Sequence, residues 1–224
     1  MVLELHPITN PSDFTTFVHI QHAAFQNGMT RLLKPTPSTT QTIAESAQKH
    51  IDAAASEPDL HFLKVVDTEL DGKIIACAKW RINERERTKE EIKVQLPTVE
   101  EKDGQVTRDF WGYLGRMREE YMGTKPFYLL HVLVTDPEHQ KRGAGSMLLK
   151  WGTEKADAAG LPSYLEATEA GLEFYRRAGF VGIHTERFDL AKYGGVGKDS
   201  STVMIRQPAG EKGRLDAELP NLAE

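Results

Sequence analysis

The sequence predicts an α+β (mixed α/β) chain organised around one sheet, and three observations predict it. Short β-rich runs alternate with longer amphipathic stretches along the chain. Turn-forming pairs, Asn10-Pro11, Asp71-Gly72 and Asp136-Pro137, fall where a run ends or doubles back. No internal repeat is present, so a solenoid or propeller is not expected.

Val2 to Ile8 alternates apolar and polar residues and reads as a first strand. Ser12 or Asp13 can cap a helix carrying Phe14, Phe17, Val18, Ala24 and Phe25 on one face, ended by Asn27-Gly28. Pro35 and Pro37 make Arg31 to Thr40 a loop, and a second helix follows over Thr39 to Ser56, with Ile43, Ala47 and Ile51 in its buried stripe. His61 to Thr68 and Lys73 to Ile82 read as a hairpin around Leu70-Asp71-Gly72. From Asn83 to Asp109 the charges are mixed and no period is visible, which predicts a solvated loop or exposed helix. Phe110, Trp111, Leu114, Met117, Tyr121 and Met122 then recur at helical spacing and predict core or lid packing.

The second half is plainer. Phe127 to Thr135 is an apolar strand, and a polar loop leads through Gly143 and Gly145 into a helix that runs to Ala159. Ser163 to Ala167, Phe180 to Asp189 and Ser201 to Arg206 read as strands, and Glu169 to Ala178 as a helix stopped by Gly179. The expected organisation is one domain over residues 1–207, with an insertion at about 83–126, and a polar tail over 208–224.

Composition removes several functional classes. The chain has 224 residues, of which 39% are apolar and 27% charged, so wholly disordered and fibrous readings fail. A net charge of −5 argues against a protein that coats nucleic acid. The single cysteine, Cys77, cannot form an internal disulfide or a Cys-rich zinc module. No apolar run is long enough to span a bilayer, and Met1 to His6 lacks the basic leader and apolar core of a secretory signal. A reducing compartment is expected, cytoplasmic with the nucleus as the other choice, with neither nucleic-acid nor membrane partners. His19, His22, His50, His61 and His184 show no HExxH spacing, so no metal is expected.

The chemistry is concentrated in Leu130-His131-Val132-Leu133-Val134-Thr135-Asp136-Pro137-Glu138-His139-Gln140-Lys141-Arg142-Gly143-Ala144-Gly145-Ser146. A buried strand enters a short loop with two glycines and then a helix. The first helical turn leaves backbone N–H groups unpaired, and the helix dipole adds partial positive charge there. Glycines at 143 and 145 remove side chains that would hold an anion away, and Lys141 and Arg142 add charge. The pattern is a phosphate or pyrophosphate nest. It is neither a P-loop nor a complete dinucleotide fingerprint.

With Gln140, Gly143 and Gly145 spaced Gln-x-x-Gly-x-Gly after an apolar strand, the segment resembles the GNAT superfamily of acyl-CoA N-acyltransferases. Gly171 to Phe180, containing Tyr175-x-x-x-Gly179-Phe180, is similar to that family's closing helix and signature. The resemblance is specific over residues 127–206. It implies a central, mostly antiparallel, splayed sheet flanked by helices in three layers. It also implies acetyl-CoA as co-substrate, no metal, and transfer of the acetyl group to a primary amine by direct attack in a ternary complex. The acceptor would be a small-molecule amine or a lysine, and a homodimer is compatible with it.

Residue by residue, the resemblance assigns the pyrophosphate to Gln140, Lys141, Arg142, Gly143, Ala144, Gly145 and Ser146. The backbone of Leu133, Val134 and Thr135 would pair with the pantetheine arm, with an N–H near Leu133 polarising the thioester carbonyl. Tyr175 would point its hydroxyl at the coenzyme A sulfur. Thr168 stands near the position where family members carry an asparagine that contacts pantetheine. Many members use a carboxylate from the strand at 127–135, where this chain has Leu129. His131 instead matches arylalkylamine-type members. An imidazole with an ordinary pKa of about 6.5 suits proton transfer near neutrality, as a base or through water, although a hydrogen-bonded core histidine is the other reading. Acceptor choice is expected to fall to Phe25–Lys34, the region near Trp111 and the Lys192–Lys198 turn. The competing function is a non-catalytic acyl-CoA-binding regulatory module.

Overall fold

The structure, a computed structural model, describes residues 2–33 and 38–210. In chain order its elements begin with β1 (Leu3–Pro7), α1 (Pro11–Ala24), α2 (Gly28–Leu32), α3 (Thr40–Ser56), β2 (Leu60–Asp67) and β3 (Lys73–Asn83). Then come α4 (Lys89–Gln95), α5 (Gln105–Tyr121), β4 (Phe127–Thr135) and α6 (Ala144–Ala159). The chain continues with β5 (Ser163–Thr168), α7 (Leu172–Arg177), β6 (Val181–Asp189) and β7 (Lys198–Arg206). The seven strands follow the sheet order β1-β2-β3-β4-β5-β7-β6. The β1–β2, β2–β3, β5–β7 and β6–β7 pairs are antiparallel. The α+β class holds. Among the described residues no helix is long and apolar enough to cross a membrane.

The chain divides into two compact units. The first contains the residues up to Ile82 together with Leu130–Gly152. Two of its helices, α1 and α3, start where side chains accept orphan N–H groups. The Asn10 side chain accepts from Ser12 N ahead of Pro11, and Thr39 and Thr42 form a reciprocal capping box for α3. The hairpin turn takes left-handed geometry at Asp71 (φ 51°) and Gly72 (φ 75°), as Asp-Gly predicts. The core gathers Phe14, Phe17, Val18 and Ile20 of α1, Ala47 of α3, Leu60 and Phe62 of β2, Cys77 of β3 and Val134 of β4. Phe62 meets the Phe14 ring edge-on at 5.1 Å between centroids. His50 stacks on Phe17, and burial, helped by the charge of Lys79, lowers its pKa to about 4.

The second unit contains Asn83–Leu129 and the chain from Thr153 on. Arg118 of α5 and Glu166 of β5, both nearly inaccessible, form a two-point ion pair at 2.7 and 3.0 Å. Tyr113 donates its hydroxyl to Ser201 O at 3.0 Å, and Arg206 grips both oxygens of Asp157 at 2.7 and 2.8 Å.

Of the two expectations for 83–109, a solvated loop or an exposed helix, the stretch holds the helix in part: β3 runs on to Asn83, and α4, with only Ile92 buried, follows behind a Thr88–Glu91 capping box. Arg87 is buried, donating to Gly123 O at 2.6 Å and Lys125 O at 3.1 Å, with Phe127 below its guanidinium at 4.6 Å. α5 also begins at Gln105, earlier than its apolar stripe shows. A short helix, α2, occupies part of the expected 31–40 loop, whose residues 34–37 lie outside the described residues. The expected tail lies outside them from residue 211 on.

Candidate active site

In the first unit, β4 carries the site. Val132 and Val134 pack on the core, so the strand's two-residue period turns His131, Leu133 and Thr135 to its other face. Asp136 N donates to Ile75 O at 2.8 Å, tying the strand's end to β3. A single 3₁₀ turn over Pro137–His139 follows, pinned by Asp136, whose carboxylate accepts from Glu138 N and whose carbonyl accepts from His139 N.

Beyond it the backbone twice takes left-handed dihedrals, at Lys141 (φ 61°) and Gly143 (φ 91°). α6 begins at Ala144, and its first bond runs from Met147 N to Gly143 O. The N–H groups at the start of α6 therefore follow a loop of alternating backbone handedness, the geometry that turns successive amides toward an anion. Gln140, Lys141, Gly143 and Ser146 are exposed, Gly145 is half-buried and Ala144 is buried. A Cβ on Gly143 would meet nothing within 4 Å, so this glycine serves its dihedral.

Gly152, further along α6, has a different duty. A Cβ there would lie 2.3 Å from the ring of Trp80, which is fully buried and donates Nε1–H to Leu148 O at 3.2 Å. The helix is held to β3 by this absence of a side chain.

Two basic residues near the loop are already engaged. Arg142 donates to Asp67, which is wholly inaccessible, and its Nη1 lies 2.9 Å from His139 Nδ1. Burial alone would raise the Asp67 carboxyl. Hydrogen bonds from Arg142 and Glu69 N, together with the guanidinium charge, hold it below the usual carboxylate range. Lys73 approaches Asp136 at 3.6 Å and His139 Nε2 at 2.9 Å.

His131 has a neighbour that the sequence reading did not single out. Arg81 of β3 donates Nε–H to His131 Nε2 at 3.4 Å. The same guanidinium, almost inaccessible, reaches Asp59 at 2.6 Å and Glu57 at 2.5 Å. The available signal was slight, since Arg81 closes a β-rich run that also carries Lys73 and Lys79.

Tyr175 and Thr168 belong to the second unit. Tyr175 sits in α7, edge-on to Phe174 and Phe180, and burial raises its phenol above its ordinary value. Gly171 makes room for it, since a Cβ there would stand 2.9 Å from the Tyr175 ring. Thr168 ends β5 opposite Ser201, and its side chain forms no capping bond to the turn that follows.

The model of the acetyltransferase (GNAT) family matches residues 26–180. This chain belongs to that family. The match takes in both the turn at residues 140–146 and the Tyr175 helix. A curated protein of Ajellomyces capsulatus named probable acyltransferase SID5 is 46% identical over 41 residues, covering 18% of this chain and 30% of that protein's length. Among solved structures, one from Corynebacterium glutamicum, described as histone acetyltransferase HPA2 and related acetyltransferase, superposes with a TM-score of 0.60. Its identity is 21%, over 93% of this chain and 98% of that one. Polyamine N-acetyltransferase of Drosophila melanogaster gives a TM-score of 0.63 at 12% identity, over 92% and 100% of the two chains. At these identities the likeness is one of fold.

Proposed function

We propose that this chain transfers an acetyl group from acetyl-CoA to a primary amine by direct attack in a ternary complex. The observation that carries this reading is the continuous path from β4 through the left-handed positions Lys141 and Gly143 into α6. It offers backbone N–H groups to a diphosphate, with a strand beside it for the pantetheine arm. Because Arg142 is committed to Asp67 and His139, its part in the nest is its backbone N–H. Gln140, Lys141, Ala144, Gly145 and Ser146 complete the turn, and Leu133, Val134 and Thr135 supply the strand. Thr168 would meet the pantetheine arm from β5.

The amine nitrogen attacks the thioester carbonyl, and the N–H near Leu133 receives the developing oxyanion. Collapse breaks the carbon–sulfur bond. Tyr175 then gives its proton to the departing thiolate, a task suited to a phenol whose burial keeps it protonated. His131 assists the loss of the amine's proton, which leaves through water. The polyamine substrate in the Drosophila enzyme's description supports an amine acceptor.

The test is thioester consumption with acetyl-CoA across a panel of small amines and lysine peptides. Turnover with at least one amine is expected. Tight coenzyme A binding without turnover on any acceptor would contradict the reading and favour a binding module.

A further inference from the structure

Arg81 is a buried cation beside the reaction strand, and a buried guanidinium is retained only when its donors are matched. Two are matched by acids, Nη1 by Asp59 and Nη2 by Glu57. These acids come from the turn between α3 and β2, whose backbone is fixed to the same strand. Leu60 N donates to Glu57 O at 3.0 Å, Ile82 N donates to Asp59 O at 2.9 Å, and Leu60 stands opposite Arg81 in the β2–β3 register. The guanidinium is thereby held rigidly, and its Nε–H faces His131 Nε2 at 3.4 Å.

Guanidinium nitrogens only donate, so the imidazole nitrogen facing Arg81 must be the one without a proton. In a neutral imidazole the proton then sits on Nδ1. A ring in this state has its Nε2 lone pair occupied and carries its proton on Nδ1. That arrangement suits an oriented donor and does not suit a base.

We propose that Arg81, clamped by Glu57 and Asp59, is the positioning residue of His131. It holds the imidazole as the Nδ1–H tautomer, so His131 enters acyl transfer as a fixed hydrogen-bond donor. The proton leaves the attacking nitrogen through water to bulk solvent, while the nitrogen's electron pair forms the new carbon–nitrogen bond. The kinetic part of this inference rests on the acyl-transfer reading above; the tautomer itself does not.

The experiment uses the full chain with ¹⁵N-labelled histidine, the His131 signals being assigned by their loss in His131→Gln. Nitrogen chemical shifts at neutral pH are expected to show Nε2 unprotonated and Nδ1 protonated. In Arg81→Met the proton is expected to shift toward Nε2. That variant should lower kcat by about tenfold to a hundredfold, the scale of a lost positioning contact, with KM for acetyl-CoA within about twofold. A glutamine amide can donate but cannot act as a base, so His131→Gln should keep at least about tenfold more turnover than His131→Ala. A protonated Nε2 in the unaltered protein would overturn the proposal, and needs no variant to fold. So would equal inactivity of His131→Gln and His131→Ala. Absence of turnover in the unaltered protein with the expected tautomer present would count against the acyl-transfer reading and leave the Arg81–His131 assignment standing.

Discussion

The two units each bury an arginine against carboxylate, and the two arginines are spent differently. Arg118 uses Nε and Nη2 on the two oxygens of Glu166, a closed fork in which both partners are inaccessible. Arg81 spends only its Nη groups on acids and points Nε at an imidazole. The Glu57 and Asp59 side chains remain 32% and 25% exposed, so water can take over if the arginine is lost. A closed fork is a structural element whose loss strands a charge. An open one can orient a third group.

The largest expected effect lies in the closed fork. Arg118→Met or Glu166→Leu alone should cost about 3–5 kcal/mol in urea unfolding, because each leaves an unpaired buried charge. The double replacement should recover most of that loss. Arg81→Met should cost only about 1–2 kcal/mol, since its carboxylates rehydrate. Equal losses for Arg118→Met and Arg81→Met would erase the distinction.

His50 extends the comparison to a buried base whose neighbouring charge, Lys79, is a cation. With no attraction to offset burial it stays neutral, its pKa lowered to about 4 against an ordinary 6.5. Between these values the unfolded chain binds more protons than the folded one. Stability is therefore fully present above about pH 6.5 and falls as pH drops toward 4. The loss from this group is about 3 kcal/mol. Unfolding titrations of the unaltered chain and His50→Phe should diverge across that window, and parallel curves would refute the assignment.

Tyr175→Phe should lower kcat by about a hundredfold while coenzyme A affinity changes little, as expected for loss of a positioned proton donor. Because burial raises this phenol, no loss of rate should arise from its ionisation below about pH 10. Titrating the rate of Tyr175→Phe against the unaltered enzyme checks both statements.

Two glycines of one segment give the most separable effects. Gly152→Ala drives a methyl into the rigid Trp80 ring and should cost about 1–3 kcal/mol or more by overpacking. Gly143→Ala meets open space, so its cost, about 1–2 kcal/mol, comes only from the left-handed backbone. It should weaken coenzyme A binding, whereas Gly152→Ala should act through stability. Calorimetric binding beside thermal unfolding separates the two.

How much of this was legible in the sequence follows from the range of each interaction. The strand–turn–helix geometry at 127–159 was readable because strand, turn glycines and helix start are adjacent in the chain, and local geometry is written locally. The Phe127–Thr135 strand kept its expected limits for the same reason. That Gly152 and Trp80 meet could not be read from the sequence, since 72 positions of chain separate them. α4 was hidden because its capping box used the same Thr and Glu residues that make a solvated charge run. Arg81 was missed because its partners, Glu57, Asp59 and His131, are brought to it only by strand pairing and the α3–β2 turn. The units in which His131 and Tyr175 lie were likewise a property of packing.

A crystal structure of the chain with acetyl-CoA tests the central claim most directly. The account predicts diphosphate oxygens within hydrogen-bond distance of the backbone N–H groups of residues 141–146 and the thioester carbonyl near Leu133 N. Diphosphate density anywhere else, or a ligand whose thioester lies away from β4, would contradict it.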